Sequence, residues 1–243
     1  MSPNKSNAKA RERAAAARAA QLRAERRSTM IRWSAMAAVV VIVIVGVVVF
    51  ALNSSGSKKP AAKGGTSTAA PSALGPEQMP IESGTLLAPA STAATGHTVD
   101  GIQCQSSEQV AYHIHAHLAV YVNGSSRPIP LGIGIVTPQV QGGFAQASKC
   151  YYWLHTHVQD GVIHIESPTK QLYTLKDFFD EWHQTLSSSQ VASSKGTVTA
   201  YVNGKRFTGD PGSITLSAHA MIQLDVGTPA VAPVAVNWST SSL

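Results

Sequence analysis

The stretch Tyr151 to Glu166, YYWLHTHVQDGVIHIE, leaves the chain few options. Two runs of alternating bulky and polar residues flank Asp160-Gly161. Asp-Gly between such runs signals a tight hairpin, because a type I′ turn needs positive φ at both central positions. A two-residue loop there would set His157 opposite His164 and His155 opposite Glu166. Strand side chains alternate between faces, so His155, His157, His164 and Glu166 share one face, and Thr156, Val158, Ile163 and Ile165 share the other.

Tyr112 to Val122, YHIHAHLAVYV, alternates as cleanly and runs into the turn dipeptide Asn123-Gly124. His113, His115 and His117 fall on one face, while Ile114, Ala116, Leu118, Val120 and Val122 form the core side. A return strand is expected over Ile129 to Val136, made irregular by Pro130, Gly132 and Gly134, and then a loop over Thr137 to Lys149. Thr174 with Asp177 three residues on resembles a capping box, and it opens a helix in LKDFFDEWHQTL. Leu175, Phe178, Phe179, Trp182 and Leu186 give that helix its apolar stripe. Thr197 to Val202 reads as the next strand, and its Tyr201-Val202-Asn203-Gly204 echoes Tyr121-Val122-Asn123-Gly124. Ile214, Leu216, Ile222, Leu224 and Val226 supply the last strand or strands. These elements predict an α+β domain, a mostly antiparallel sheet with one packed helix, and from Cys150 onward they are compatible with a β-grasp arrangement.

The first 96 residues differ in kind. Residues 1–32 hold nine Lys or Arg against Glu12 and Glu25, whereas the remaining ten basic and eleven acidic residues nearly cancel. The basic charge therefore belongs to a tail and not to a folded face, which argues against a nucleic-acid partner. From Ala35 to Leu52 no residue is charged. With its edges this run is long enough for a helix to cross a ~30 Å hydrocarbon core. The reading is a basic cytoplasmic tail (1–30), one transmembrane helix (31–52) with the lipid bilayer as partner, a flexible linker (53–96) poor in apolar residues, and an extracytoplasmic domain (97–243). A cleaved signal peptide would carry a shorter apolar run nearer the start.

Cys104 and Cys150 are the only cysteines. Outside the cytoplasm such a pair predicts a disulfide, and closing a loop of this length stabilises a fold by roughly 4 kcal/mol in the chain-entropy model. A thiolate ligand is the other reading for Cys150, without Cys-x-x-Cys spacing to support it.

All nine histidines follow the apolar run. Imidazoles two residues apart on a strand sit about 7 Å apart, and cross-strand Cβ atoms about 5 Å. If the Tyr112 strand lay beside the Tyr151 strand, His115, His117, His155, His157 and His164, with Glu166, would converge on one divalent transition metal. Imidazole and carboxylate suit Zn or Cu, and with only Met79 and Met221 in this part of the chain a methionine-rich Cu(I) site is disfavoured. Metal sensing, buffering or delivery would follow. Solvated or pH-responsive histidines on an outer sheet face are the plainer reading. A metal-dependent cell-envelope hydrolase would need an open coordination position and a base, for which Glu166 or Asp160 are the candidates, but His-Glu-x-x-His is absent. A non-metal envelope interaction module would expose Tyr151 and Trp153. His183, beside the helix stripe, is not counted as a ligand.

Taken together, HIHAHLAVYVNG, CYYWLHTH with GVIHIESP, YTLKDFFDEW and AYVNGKRF resemble an uncharacterised family of bacterial secreted or membrane-anchored proteins, from about His97 to the C-terminus. The resemblance implies an extracytoplasmic domain and no particular activity. Members often carry an acidic residue after the second His of His-Thr-His, where this chain has Val158.

Overall fold

Thirteen strands and one α-helix appear in the computed structural model, which describes residues 73–243. In chain order the strands are β1 (Cys104–Gln105), β2 (Tyr112–Val122), β3 (Ser125–Ser126), β4 (Ile135–Gln141), β5 (Phe144–Tyr152), β6 (Leu154–His155), β7 (Val162–Ser167), β8 (Leu186–Ser187), β9 (Gln190–Val191), β10 (Ser194–Lys195), β11 (Val198–Val202), β12 (Lys205–Phe207) and β13 (Ala220–Val226). The helix, α1 (Leu175–Glu181), lies between β7 and β8. The basic tail, the expected membrane helix and the linker up to residue 72 lie outside the described residues. Among the described residues no helix is long and apolar enough to cross a membrane.

Turn chemistry sets the frame. Asn123 and Gly124 have φ of 51° and 76°, and Asn203 and Gly204 have 50° and 75°. Positive φ at both positions is what a two-residue hairpin loop requires. The first pair joins β2 to β3, and the second joins β11 to β12. The echo between the two Tyr-Val-Asn-Gly segments is therefore structural.

The principal sheet runs β12-β11-β13-β2-β7-β6, with β3 also on β2. All its pairings are antiparallel except that of β13 with β2, which places the last strand in the middle of the sheet. One face is the core. Ala116, Leu118, Ile163, Ile165, Ile222 and Leu224 are all within 1 % of complete burial and cluster with Leu175, Phe178 and Phe179 of the helix and with Trp182 at its C-terminal end.

The helix starts as its sequence directs: Thr174 and Asp177 form a reciprocal capping box. It stops sooner than the apolar stripe suggested. His183 takes a left-handed φ of 53°, its N–H bonds to Asp180 O, and Gln184 N–H reaches Phe179 O at 2.8 Å. This is a Schellman ending with His where Gly is usual.

Three other expectations are corrected. The partner hairpin strand of β2 is only Ser125–Ser126, and the Pro/Gly-rich stretch from Ile129 to Gly134 is irregular. The segment read as a loop is a long hairpin, β4 with β5, turning at Gly142 and Gly143, both at positive φ. Within the stretch assigned to the linker, residues 73–96 pack on the domain, with Met79 fully buried and Leu87 and Ala94 at 6 % exposure. Few apolar residues sufficed there because Met79, Leu87 and Ala94 are buried and the backbone is tied to the domain: Leu87 N–H bonds to Pro128 O and Ala94 N–H to Glu181 O. The disulfide between Cys104 and Cys150 is formed, tying β1 to β5.

Candidate metal centre

The second face of the sheet carries the histidines, and it too is buried except at His113. Segment 73–82 covers one side of it, with Glu82 N–H bonded to Gln159 O. The C-terminal segment covers another, held by Val231 N–H to Asp225 Oδ1 and Val234 N–H to Gln223 Oε1, both at 2.9 Å.

On this face β2 lies beside β7, with His113 opposite Glu166 and His115 opposite His164. On the other side of β7, β6 sets His155 opposite His164. The expected direct neighbourhood of the Tyr112 and Tyr151 strands is thus corrected: β7 stands between them and His164 sits at the centre. The hairpin register also differs by two residues from the expected one. Asp160 is not in positive φ, so no type I′ turn forms, and its Oδ1 accepts from Val162 N–H instead. After His155 the chain leaves β7 for other partners: Thr156 N–H bonds to Ile133 O, and His157 O accepts from Ala145 N–H at 2.9 Å. A shift of two preserves parity, so His155, His157, His164 and Glu166 still share a face.

His155 Nε2 lies 3.0 Å from His157 Nε2, and His113 Nε2 lies 2.9 Å from His115 Nε2. Glu166 stands between these pairs, with Oε1 at 3.0 Å from His113 Nε2 and Oε2 at 3.9 Å from His155 Nε2. His164 Nδ1 is 3.4 Å from Glu166 Oε1, and its Nε2 is 3.0 Å from Glu77 Oε1. Both His164 Nδ1 and Glu166 Oε2 are buried without a hydrogen-bond partner.

The inner pair has a defined protonation. His155 Nδ1 donates to Tyr152 O at 2.8 Å and His157 Nδ1 to Ala145 O at 2.6 Å. A neutral imidazole has one N–H, so each Nε2 is left as a bare lone pair facing the other. Phe144 stacks on His157 with centroids 4.3 Å apart and fixes its plane. Burial, followed by the charges of neighbouring histidines, holds His155 well below the usual imidazole range. Burial likewise lowers His157 to about 4 and, with His164 and His113 nearby, His115 to about 3. For His164 burial also acts downward, but the carboxylates of Glu166 and Glu77 on either side raise it to about 9.

Not every expected ligand joins. His117, lowered to about 4 by burial, stands outside the cluster with its Nε2 at 3.6 Å from Glu82 Oε1. Cys150 is bound in the disulfide and is no ligand. Asp160 is fully buried and does not line the histidine pairs. Tyr151 and Trp153 are half-buried, not the exposed patch an interaction module would present.

Four residues enter that sequence reasoning left out of the ligand set: His113, Glu77, Glu82 and Glu108. Glu108 Oε1 lies 3.5 Å from His157 Nε2, and with His113 it is the solvent-exposed part of the cluster, at 37 % and 39 % side-chain exposure. Glu77 and Glu82 are the only acidic residues of the 53–96 stretch, and they flank Met79 and Ile81. Acidic residues beside the stretch's few large apolar ones were the available signal.

Two overlapping groups, His155/His157/His164/Glu166 and His113/His115/His164/Glu166, each bring four ligand atoms within 4.8 Å of one another. These His and Glu side chains, all buried except His113, could hold a metal ion. The chain matches no protein-family model, no curated protein and no solved structure.

Proposed function

We propose that this is a membrane-anchored protein whose extracytoplasmic domain binds a divalent transition metal, Zn or Cu, in metal sensing, buffering or delivery. One observation carries the reading: two buried imidazole Nε2 atoms face each other at 3.0 Å, and in each neutral ring the carbonyl behind it holds the one N–H on Nδ1. Two lone pairs at that distance repel unless a cation lies between them. Burial favours the neutral form of both rings, so a metal ion is the cation this reading places between them. Ligating histidines that hand their other N–H to a backbone carbonyl are the usual supporting arrangement around a metal.

His164 and Glu166 complete a three-nitrogen, one-oxygen donor set that suits tetrahedral Zn and also binds Cu(II). Glu77, accepting from His164 Nε2, leaves Nδ1 as the ligand atom. The sheet order, with a parallel central pair and one helix, supports a β-grasp reading that begins at Tyr112 and not at Cys150. Extracytoplasmic placement is supported by the disulfide, which persists in oxidising compartments.

The test is metal uptake by the full-length protein, without tag histidines, in detergent micelles. Wild type takes up at least one equivalent of Zn(II) or Cu(II), and the H155A/H157A variant takes up at least one equivalent fewer. Absence of uptake at micromolar metal would sink the proposal.

A further inference from the structure

We infer that the centre holds two ions, not one, with the Glu166 carboxylate bridging them. The inference rests on the metal-binding reading above and extends it to stoichiometry and ligand partition.

Six donors make up the two overlapping groups: five imidazoles and the Glu166 carboxylate. They do not collapse onto one point. The donors fall into two groups of four, and no single group contains both the His155/His157 pair and the His113/His115 pair. Zn takes four ligands at about 2.0–2.3 Å, so its ligand atoms must lie close to one another, and one ion cannot take all four nitrogens of the two pairs. Each pair by itself has the nitrogen spacing of two ligands on one ion, 3.0 Å and 2.9 Å.

Glu166 is the link between them. Its side chain is 3 % exposed, Oε1 points to His113 and Oε2 to His155. Oε2 has no hydrogen-bond partner. A buried carboxylate oxygen left without a donor is costly, and a cation on that side removes the cost. A carboxylate with one oxygen toward each nitrogen pair is the arrangement of bridged two-metal sites, whose ions lie about 3.5–4 Å apart.

The inner ion is held by His155, His157 and Glu166 Oε2; the outer by His113, His115 and Glu166 Oε1. His164, shared by both groups, completes one of them. The two positions differ in access. His155 is fully buried, whereas His113 is 39 % exposed, so the outer ion meets solvent and exchanges first.

The experiment loads the full-length protein in detergent micelles with Zn(II), removes free metal, and counts zinc per chain by mass spectrometry. The expected result is two zinc ions for wild type and one for H113A/H115A, with near-UV circular dichroism unchanged. One zinc in wild type overturns the two-ion centre and leaves single-ion binding standing, whereas none overturns both. Two zinc ions retained in H113A/H115A also overturn it, because the second ion would then lie elsewhere. If that variant fails to fold, the Cu(II)-loaded wild type decides. Two Cu(II) sharing a carboxylate give a spin-coupled resonance spectrum, and two independent signals overturn the bridge.

Discussion

His164 is held between two carboxylates, with Nε2 at 3.0 Å from Glu77 Oε1 and Nδ1 at 3.4 Å from Glu166 Oε1. One carboxylate orients the ring from behind while the other shares the ligand space in front. Glu77, 87 residues earlier in the chain, would therefore act on a bound metal only through His164.

Replacing Glu77 by Gln keeps the shape but weakens the acceptor behind His164. Losing such an outer partner costs roughly 10–100-fold in metal affinity. Competition against a chromophoric chelator measures it, and an unchanged affinity would show that Glu77 has no part in orienting the ligand.

Asp160 supplies a pH signature. Burial first, and the charge of Glu77 second, raise its carboxyl to about 7. A folded-state value above the unfolded ~4 means that its contribution to stability is full below pH ~4 and is lost as pH rises through 7. The D160N variant cannot lose a proton there. In metal-free protein it should gain up to roughly 4 kcal/mol on wild type between pH 4 and pH 9. Urea unfolding at both values checks this, and a constant difference between the two proteins would refute it.

The disulfide reaches the site through one strand. Cys150 lies in β5, and Ala145 of the same strand accepts the His157 Nδ1 proton at 2.6 Å. The C104A/C150A variant should lose roughly 4 kcal/mol of stability. It should also bind metal more weakly, because only the short strand pairing then ties β5 to β1. Denaturation midpoints and zinc titration report the two effects separately, and full affinity in the destabilised variant would show that β5 is held without the bond.

Much of this was legible in the chain. Strict alternation fixed β2 to the residue, because only a strand puts Ala116, Leu118 and Val120 on one face and His115 and His117 on the other. Asn-Gly dictated two turns, and Thr174 with Asp177 dictated a helix start. What was hidden depended on partners distant in sequence. Asp160-Gly161 carries a hairpin signal, but Ile133 and Ala145 compete for the backbone of Thr156 and His157 and win. The return of β4 and β5 was masked by residues that pair well without an apolar pattern, since Pro138 to Gln141 are exposed. Glu77 carried only the weak signal of an acidic residue beside Met79, because a low-complexity stretch gives no periodicity from which to place it.

The parallel pairing of β13 with β2 has a consequence for the order of assembly. Ala116 meets Ala220, and the chain between them must be complete before the middle of the sheet can close. Contacts so far apart in sequence require loop-closure entropy to be lost before they return any energy, which makes their formation slow. The histidine strand β2 can pair with β7 before β13 exists, so the candidate ligands come together while the other edge of β2 is still open. A metal captured at that stage would meet a nascent centre before the strand that seals it arrives.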